Sequence, residues 1–177
     1  MENSRLMRRV VTAVGSDGRS FVADDRLVEP VTVAAMPGYA WHRLWSLDEL
    51  PAHPAPASQV CDPDHFAPPG GIRFYLYEIP PGEVVVSEIS EAHRHELEAK
   101  LPGRASHMED DQGGTHATRS LDLVFVVQGE ITLLLDDGAA ELGPGDTVVQ
   151  NGARHAWRNR SDAPCRMAVW VIGLVGA

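Results

Sequence analysis

The chain has 177 residues, 44% of them hydrophobic, with 25 acidic against 15 basic side chains for a formal net charge of -10. That length and composition fit a single folded domain with a real core, not a disordered chain. So acidic a surface repels phosphate backbones and anionic lipids, which argues against nucleic-acid and membrane partners.

No stretch is apolar for long enough to span a bilayer. The opening Met1-Glu-Asn-Ser-Arg-Leu-Met-Arg-Arg9 lacks the apolar run of a signal peptide, so the expected location is the cytoplasm. The two cysteines, Cys61 and Cys165, have no CxxC or zinc spacing and read as ordinary thiols.

From Arg8 to Trp45 the pattern predicts short strands. Val10, Val11, Val14, Phe21 and Val22 come first, followed by Val31-Thr-Val33 and Tyr39 to Trp45. Gly15-Ser-Asp-Gly18 and Met36-Pro-Gly38 supply turns between them. This part is expected to form an outer sheet layer or a dimer arm.

Ser46 to Gly71 is rich in Pro and Ala; Pro51, Pro54, Pro56, Pro63, Pro68 and Pro69 remove backbone donors. It reads as an extended loop packed over the body, and a connection of that length is either functional or mobile. Gly71 to Ile79 is a strand, closed by Pro80-Pro81-Gly82, and Val84-Val-Val86 resumes it.

Ser90 to Leu101 is the one convincing helix: Ser90 caps it, Glu91 suits its positive end, Lys100 its negative end, and Pro102-Gly103 stops it. It is a candidate lid or rim. Gly103 to Gly114 is polar and reads as a mobile loop.

Strands then follow at close spacing: Leu121 to Val127, Glu130 to Leu135, Ala140 to Leu142, Thr147 to Val149, His155 to Asn159 and Cys165 to Val175. Gln128-Gly129, Asp136-Asp137-Gly138 and Gly143-Pro-Gly-Asp146 are the turns. This punctuation indicates a sandwich or barrel.

Side chains alternate along a strand, so His116, Thr118, Ser120, Asp122, Val124 and Val126 share one face if no bulge intervenes. Leu121, Leu123, Phe125 and Val127 take the other. Both faces are apolar beyond Asp122, which predicts a strand covered on both sides. The same rule groups His155, Trp157 and Asn159. Two imidazoles and a carboxylate converging among apolar walls could hold a divalent metal with open coordination positions, or could act as an acid-base set. The bland alternative is a hydrogen-bonded polar remnant, with Asp122 satisfied by Thr118, Ser120 or a backbone amide. Tyr75 and Tyr77 could line a pocket, Trp157 could stack on a flat substrate, and Thr118 could donate a hydrogen bond. Core packing is the competing reading for the aromatic residues.

From Gly113 onward these motifs resemble those of a cupin. His116 matches the first histidine of the family's first motif, and Asp122 matches its glutamate, six residues ahead of Gly129. Gly145-Asp146 opens the second motif, and Gly152, His155 and Asn159 match its end. Thr118 stands where the family usually has a second histidine, Asp122 is one methylene shorter than the usual Glu, and Gln150 replaces the usual Pro with no functional meaning expected.

The resemblance implies an all-β fold, a cupin-type double-stranded β-helix (jelly-roll barrel) with an N-terminal strand extension and one short helix. Residues 1–177 would be one domain: 1–70 as N-terminal strands and Pro-rich loop, 71–177 as the barrel. It further implies a homodimer, a small-molecule substrate, and one divalent metal (zinc, iron, manganese or nickel) on His116, Asp122 and His155, or none. The implied activity is a lyase, decarboxylase or cyclase step on a small oxygenated molecule, with His155, Asp122 and His116 catalytic and Thr118, Trp157, Tyr75 and Tyr77 binding substrate. The alternatives are a non-catalytic small-molecule-binding cupin and a metal-dependent oxygenase.

Overall fold

The computed structural model describes residues 6–60, 63–82, 90–107 and 114–176. Ten strands, β1 Met7–Val14, β2 Ser20–Val28, β3 Ala40–Leu47, β4 Ile72–Ile79, β5 Ser120–Gln128, β6 Ile131–Leu135, β7 Ala139–Leu142, β8 Thr147–Asn151, β9 His155–Arg158 and β10 Cys165–Gly173, accompany two helices, α1 Glu91–Lys100 and α2 Arg104–His107. None of the described helices is long and apolar enough to cross a membrane.

Among the described residues every strand pairing is antiparallel, and the strands form three sheets. One has five strands in the order β3-β4-β10-β5-β8, one has three in the order β7-β6-β9, and β1-β2 stands apart as a hairpin. The five- and three-stranded sheets close over a shared core. Ile79, Val124, Val126, Ile131, Cys165 and Met167 are buried there, with Leu142, Val148 and Trp157 against them. Two sheets packed inner face to inner face over an apolar centre make the jelly-roll barrel. A second cluster, Val33, Met36, Trp41, Leu97 and Leu101, seats α1 against β3.

Strand register sets what faces the interior. Across the five-stranded sheet Trp41 aligns with Tyr77, Met167 and Val126; Tyr75 with Val169, Val124 and Val148; and Val171 with Asp122 and Gln150. Along β5 the even-numbered side chains Ser120, Asp122, Val124 and Val126 are buried, as alternation predicts. The odd-numbered face departs from the expectation of a second covering layer. Leu123, Phe125 and Val127 are 39%, 41% and 46% exposed, and they share that outer surface with Trp170, which stacks on Phe74 at 4.5 Å. The β1-β2 hairpin reaches this face at its β3 end, where Arg9 meets Trp45, and among the described residues no element covers Leu123, Phe125 and Val127.

Helix α1 begins and ends where its caps place it: the Ser90 hydroxyl accepts from the His93 amide, and the Leu101 amide donates to Leu97 O. After it, the segment expected to be a mobile loop turns instead into the short helix α2, in which Arg104 is buried. Val31 forms one isolated bridge to Trp41 rather than a strand. The strand expected at Val84–Val86, Cys61 and Gly113 lie outside the described residues.

The Pro-rich connection is tied down at its far end. Gly70 N donates to Gly173 O and Gly173 N to Gly71 O, while His65 N donates to Pro102 O. Gly173 lies so close under this loop that an added Cβ would sit 1.9 Å from Pro68 O. The β1-β2 hairpin reaches the barrel through Arg9, whose guanidinium donates to Leu44 O and lies 5.7 Å from the Trp45 ring centroid.

Candidate functional site

His116, just ahead of β5, and His155, first residue of β9, are joined by reciprocal backbone hydrogen bonds at 3.0 Å. That bridge places the two rings 4.4 Å apart, centroid to centroid. Each Nδ1–H donates to a nearby backbone carbonyl, His116 to Gly114 O at 3.0 Å and His155 to Ala153 O at 2.9 Å. A carbonyl can only accept, so both imidazoles are fixed as Nδ1–H tautomers with the Nε2 lone pair left for chemistry.

Burial lowers the pKa of both rings. For His116 the neighbouring His155 adds to the effect and brings the value to about 4; for His155 the Ala153 carbonyl works against it. Both are therefore neutral at pH 7.

Asp122, the third predicted member, lies on the wall of the same cavity. Burial pushes its carboxyl up to about 6, and a hydrogen bond from Ser120 offsets part of that rise. Ser120 is in turn bonded to Thr118 at 2.7 Å, so the hydroxyls of Thr118 and Ser120 form a short chain leading to the carboxylate. Among the described residues Asp122 Oδ1 has no hydrogen-bond partner.

The two imidazoles and Asp122 thus share a cavity, but they do not fit the metal set that the motif resemblance implies. Among the described residues no three His, Cys, Asp or Glu side chains come close enough together to hold a metal ion. The reason lies in the two departures of the first motif. Thr118 supplies no imidazole, and the short Asp122 side chain is drawn toward Ser120 on its own strand.

The remaining predicted residues divide. Tyr75, Tyr77 and Trp157 line the cavity, and Trp157 stands edge-on to His155 with centroids 5.9 Å apart. Thr118 does not line it; its hydroxyl is used on Ser120. Asn159 is a turn anchor, its amide donating to Ile79 O and Ala163 O while its oxygen accepts from Ser161. Two histidines the motifs did not involve, His93 and His95, are exposed on α1 away from the cavity. His107 is exposed on α2, its ring 4.6 Å from that of Phe66.

Four lining residues with hydrogen-bonding side chains were missed or read as inert. Gln150, taken as a meaningless replacement for proline, is buried on the wall beside Asp122, its Nε2 donating to Ala153 O. Trp41, expected as part of a strand, also lines the cavity. His65 and Arg104 come from the Pro-rich loop and from α2. The only sequence signal for His65 was the length of its loop; Arg104 gave none.

Residues 107–172 match the family model of the cupin domain. The phomopsin biosynthesis cluster proteins C' and D of Diaporthe leptostromiformis are each 46% identical over 57 residues, which is 32% of this chain and 30% of the relative. The chain therefore aligns with less than a third of the length of those relatives. Among solved structures, KdgF from Halomonas sp. is similar at TM-score 0.46 and 12% identity over 81% of this chain and 87% of that one. The polyketide cyclase RemF from Streptomyces resistomycificus is similar at TM-score 0.44 and 15% identity over 82% and 73%. The matched segment holds His116, Asp122, His155 and the strands that carry them, so the likeness to a cupin domain covers the part of the barrel that bears the candidate site.

Proposed function

We propose that this protein is an enzyme that moves protons on a small oxygenated organic molecule, in a step of the lyase, decarboxylase or cyclase type. One observation carries the reading: two neutral imidazoles with free Nε2 lone pairs and a carboxyl with a pKa of about 6 line a single aromatic-walled cavity. A base works best when its pKa lies near the working pH, and at pH 7 Asp122 is ionised yet more basic than an exposed aspartate.

In this scheme Asp122 takes a proton from a carbon next to a carbonyl and returns it at a second position. The Nε2 atoms of His116 and His155 accept hydrogen bonds from substrate hydroxyls and hold the molecule in register. Eliminations and ring closures of enolisable substrates begin with this proton abstraction, and a decarboxylation ends with its reverse, protonation of the enolate left when CO2 departs. The 46% identity to phomopsin biosynthesis cluster proteins fits a role in small-molecule biosynthesis.

The test is incorporation of solvent deuterium into a panel of β-keto acids and hydroxyaryl ketones, followed by NMR. Wild type should catalyse exchange, and Asp122→Asn and His155→Gln should each lower it by about 10²- to 10⁴-fold. Undiminished exchange in Asp122→Asn removes the mechanism.

A binding module without chemistry has one observation in its favour, the incomplete ligand set of the first motif. Ligand-induced thermal stabilisation of equal size in wild type and Asp122→Asn, with no exchange in either, identifies that role.

A further inference from the structure

Arg104 is 5% exposed. Among the described residues its guanidinium makes no ion pair, whereas the equally buried Arg73 is paired with Asp48 at 2.7 Å and also donates to three backbone carbonyls. Arg104 is surrounded by neutral groups instead. Nη1 lies 3.2 Å from His65 Nε2, Nη2 donates to Tyr77 Oη at 3.3 Å and reaches Met36 Sδ at 3.9 Å, and the guanidinium sits 5.1 Å from the Trp41 ring centroid. A buried cation without a counter-charge is destabilising, and such a group is kept where something else supplies the charge.

The unsatisfied atoms say which charge. Seven buried side-chain polar atoms among the described residues have no partner, and four of them belong to residues lining this cavity: Trp41 Nε1, His65 Nδ1, Arg104 Nε and Asp122 Oδ1. Arginine can only donate, so His65 Nε2 must accept from it and His65 Nδ1 carries a hydrogen. Three of the four atoms are therefore N–H donors, grouped around a positive charge. His65 is positioned for this by its own backbone, with its amide on Pro102 O and its carbonyl accepting from the Tyr75 hydroxyl.

We propose that Arg104, with the N–H groups of Trp41 and His65 beside it, is the recognition site for a carboxylate on the substrate, so that the cavity takes planar, unsaturated or aromatic carboxylic acids. This deepens the proton-transfer reading above and rests on it for the identity of the cavity as the reaction site. The carboxylate would cancel the uncompensated charge, and because the idle N–H groups are closed off from open space, pairing with them requires the Trp41, His65 and Arg104 side chains to shift as it binds. The rings of Tyr75, Tyr77 and Trp157 would face the flat body of the molecule, and the imidazoles and Asp122 would meet its reacting end.

The probes are 2-hydroxybenzoate and its neutral amide, titrated calorimetrically into wild type, Arg104→Met and Asp122→Asn. Charge-assisted pairing should make wild type prefer the carboxylate by about 10- to 100-fold. Arg104→Met should lose that preference and raise the thermal midpoint by a few degrees, because an unpaired buried cation is replaced by an apolar side chain of similar size. Asp122→Asn should keep the preference even where deuterium exchange is abolished, which separates failure of this site from failure of the proton-transfer mechanism. The proposal is overturned if wild type binds the two probes equally or binds neither, if Arg104→Met retains the preference, or if Arg104→Met lowers the midpoint, the mark of a structural arginine.

Discussion

Replacing Asp122 by Asn should make the protein more stable, and by an amount that depends on pH. The carboxyl is 9% exposed, and its pKa stands at about 6 against 3.8 for the free group. That difference corresponds to about 3 kcal/mol between the two protonation states. Because the folded-state value is raised, the stabilising contribution of the bound proton is complete below pH 3.8 and disappears as pH climbs through 6. At pH 8 the folded protein carries the full burden of a buried anion. Asn has nearly the same shape, carries no charge, and can still accept from Ser120. Urea unfolding of both proteins between pH 4 and 8 should therefore show a gap that is near zero at the acid end and grows to about 2–3 kcal/mol above pH 7. The same substitution should abolish deuterium exchange. A gap that stays constant over that range would refute the argument that burial raises this carboxyl.

Three further outcomes are expected. Deuterium exchange in wild type should fall as pH drops through about 6, where Asp122 takes up its proton, while His116, with its pKa near 4, contributes no inflection above pH 5; a profile unchanged between pH 5 and 8 contradicts the role of Asp122. Gly173→Ala would place a methyl group 1.9 Å from Pro68 O, so the loop must move, and the urea midpoint should report a loss of about 2 kcal/mol or more; an unmoved midpoint means that the loop is not clamped there. Ser90→Ala removes the acceptor for the His93 amide and should destabilise α1 by about 1 kcal/mol, read as faster amide exchange confined to the first turn of that helix.

The sequence disclosed those parts of the site that depend on short-range rules. Alternation on β5 placed Ser120, Asp122, Val124 and Val126 on the inner face. The motif spacing brought His116 and His155 into register, and the cap residues delimited α1. What stayed hidden depends on tertiary placement. His65 arrives on a loop with no periodicity, and Arg104 reaches the interior because α1 stops at Leu101 and the chain turns at once into α2. Nothing in a polar stretch after a Pro-Gly stop distinguishes a buried arginine from a solvated one. The outer face of β5 misled for a related reason: apolar residues there indicate affinity for a cover, and the described part of this chain supplies none.

The placement of β10 bears on how the molecule is made. It is the last of the described strands yet occupies the middle of the five-stranded sheet, between β4 and β5. On the ribosome, each of those two strands must wait with an open edge until residues 165–173 emerge. The cavity can close only afterwards, since Gly173 also anchors the loop that carries His65. Long-range pairing of this kind is slow, so the nascent chain passes through a stage with two half-sheets and unpaired edges, and that stage is where chaperone capture or aggregation would act.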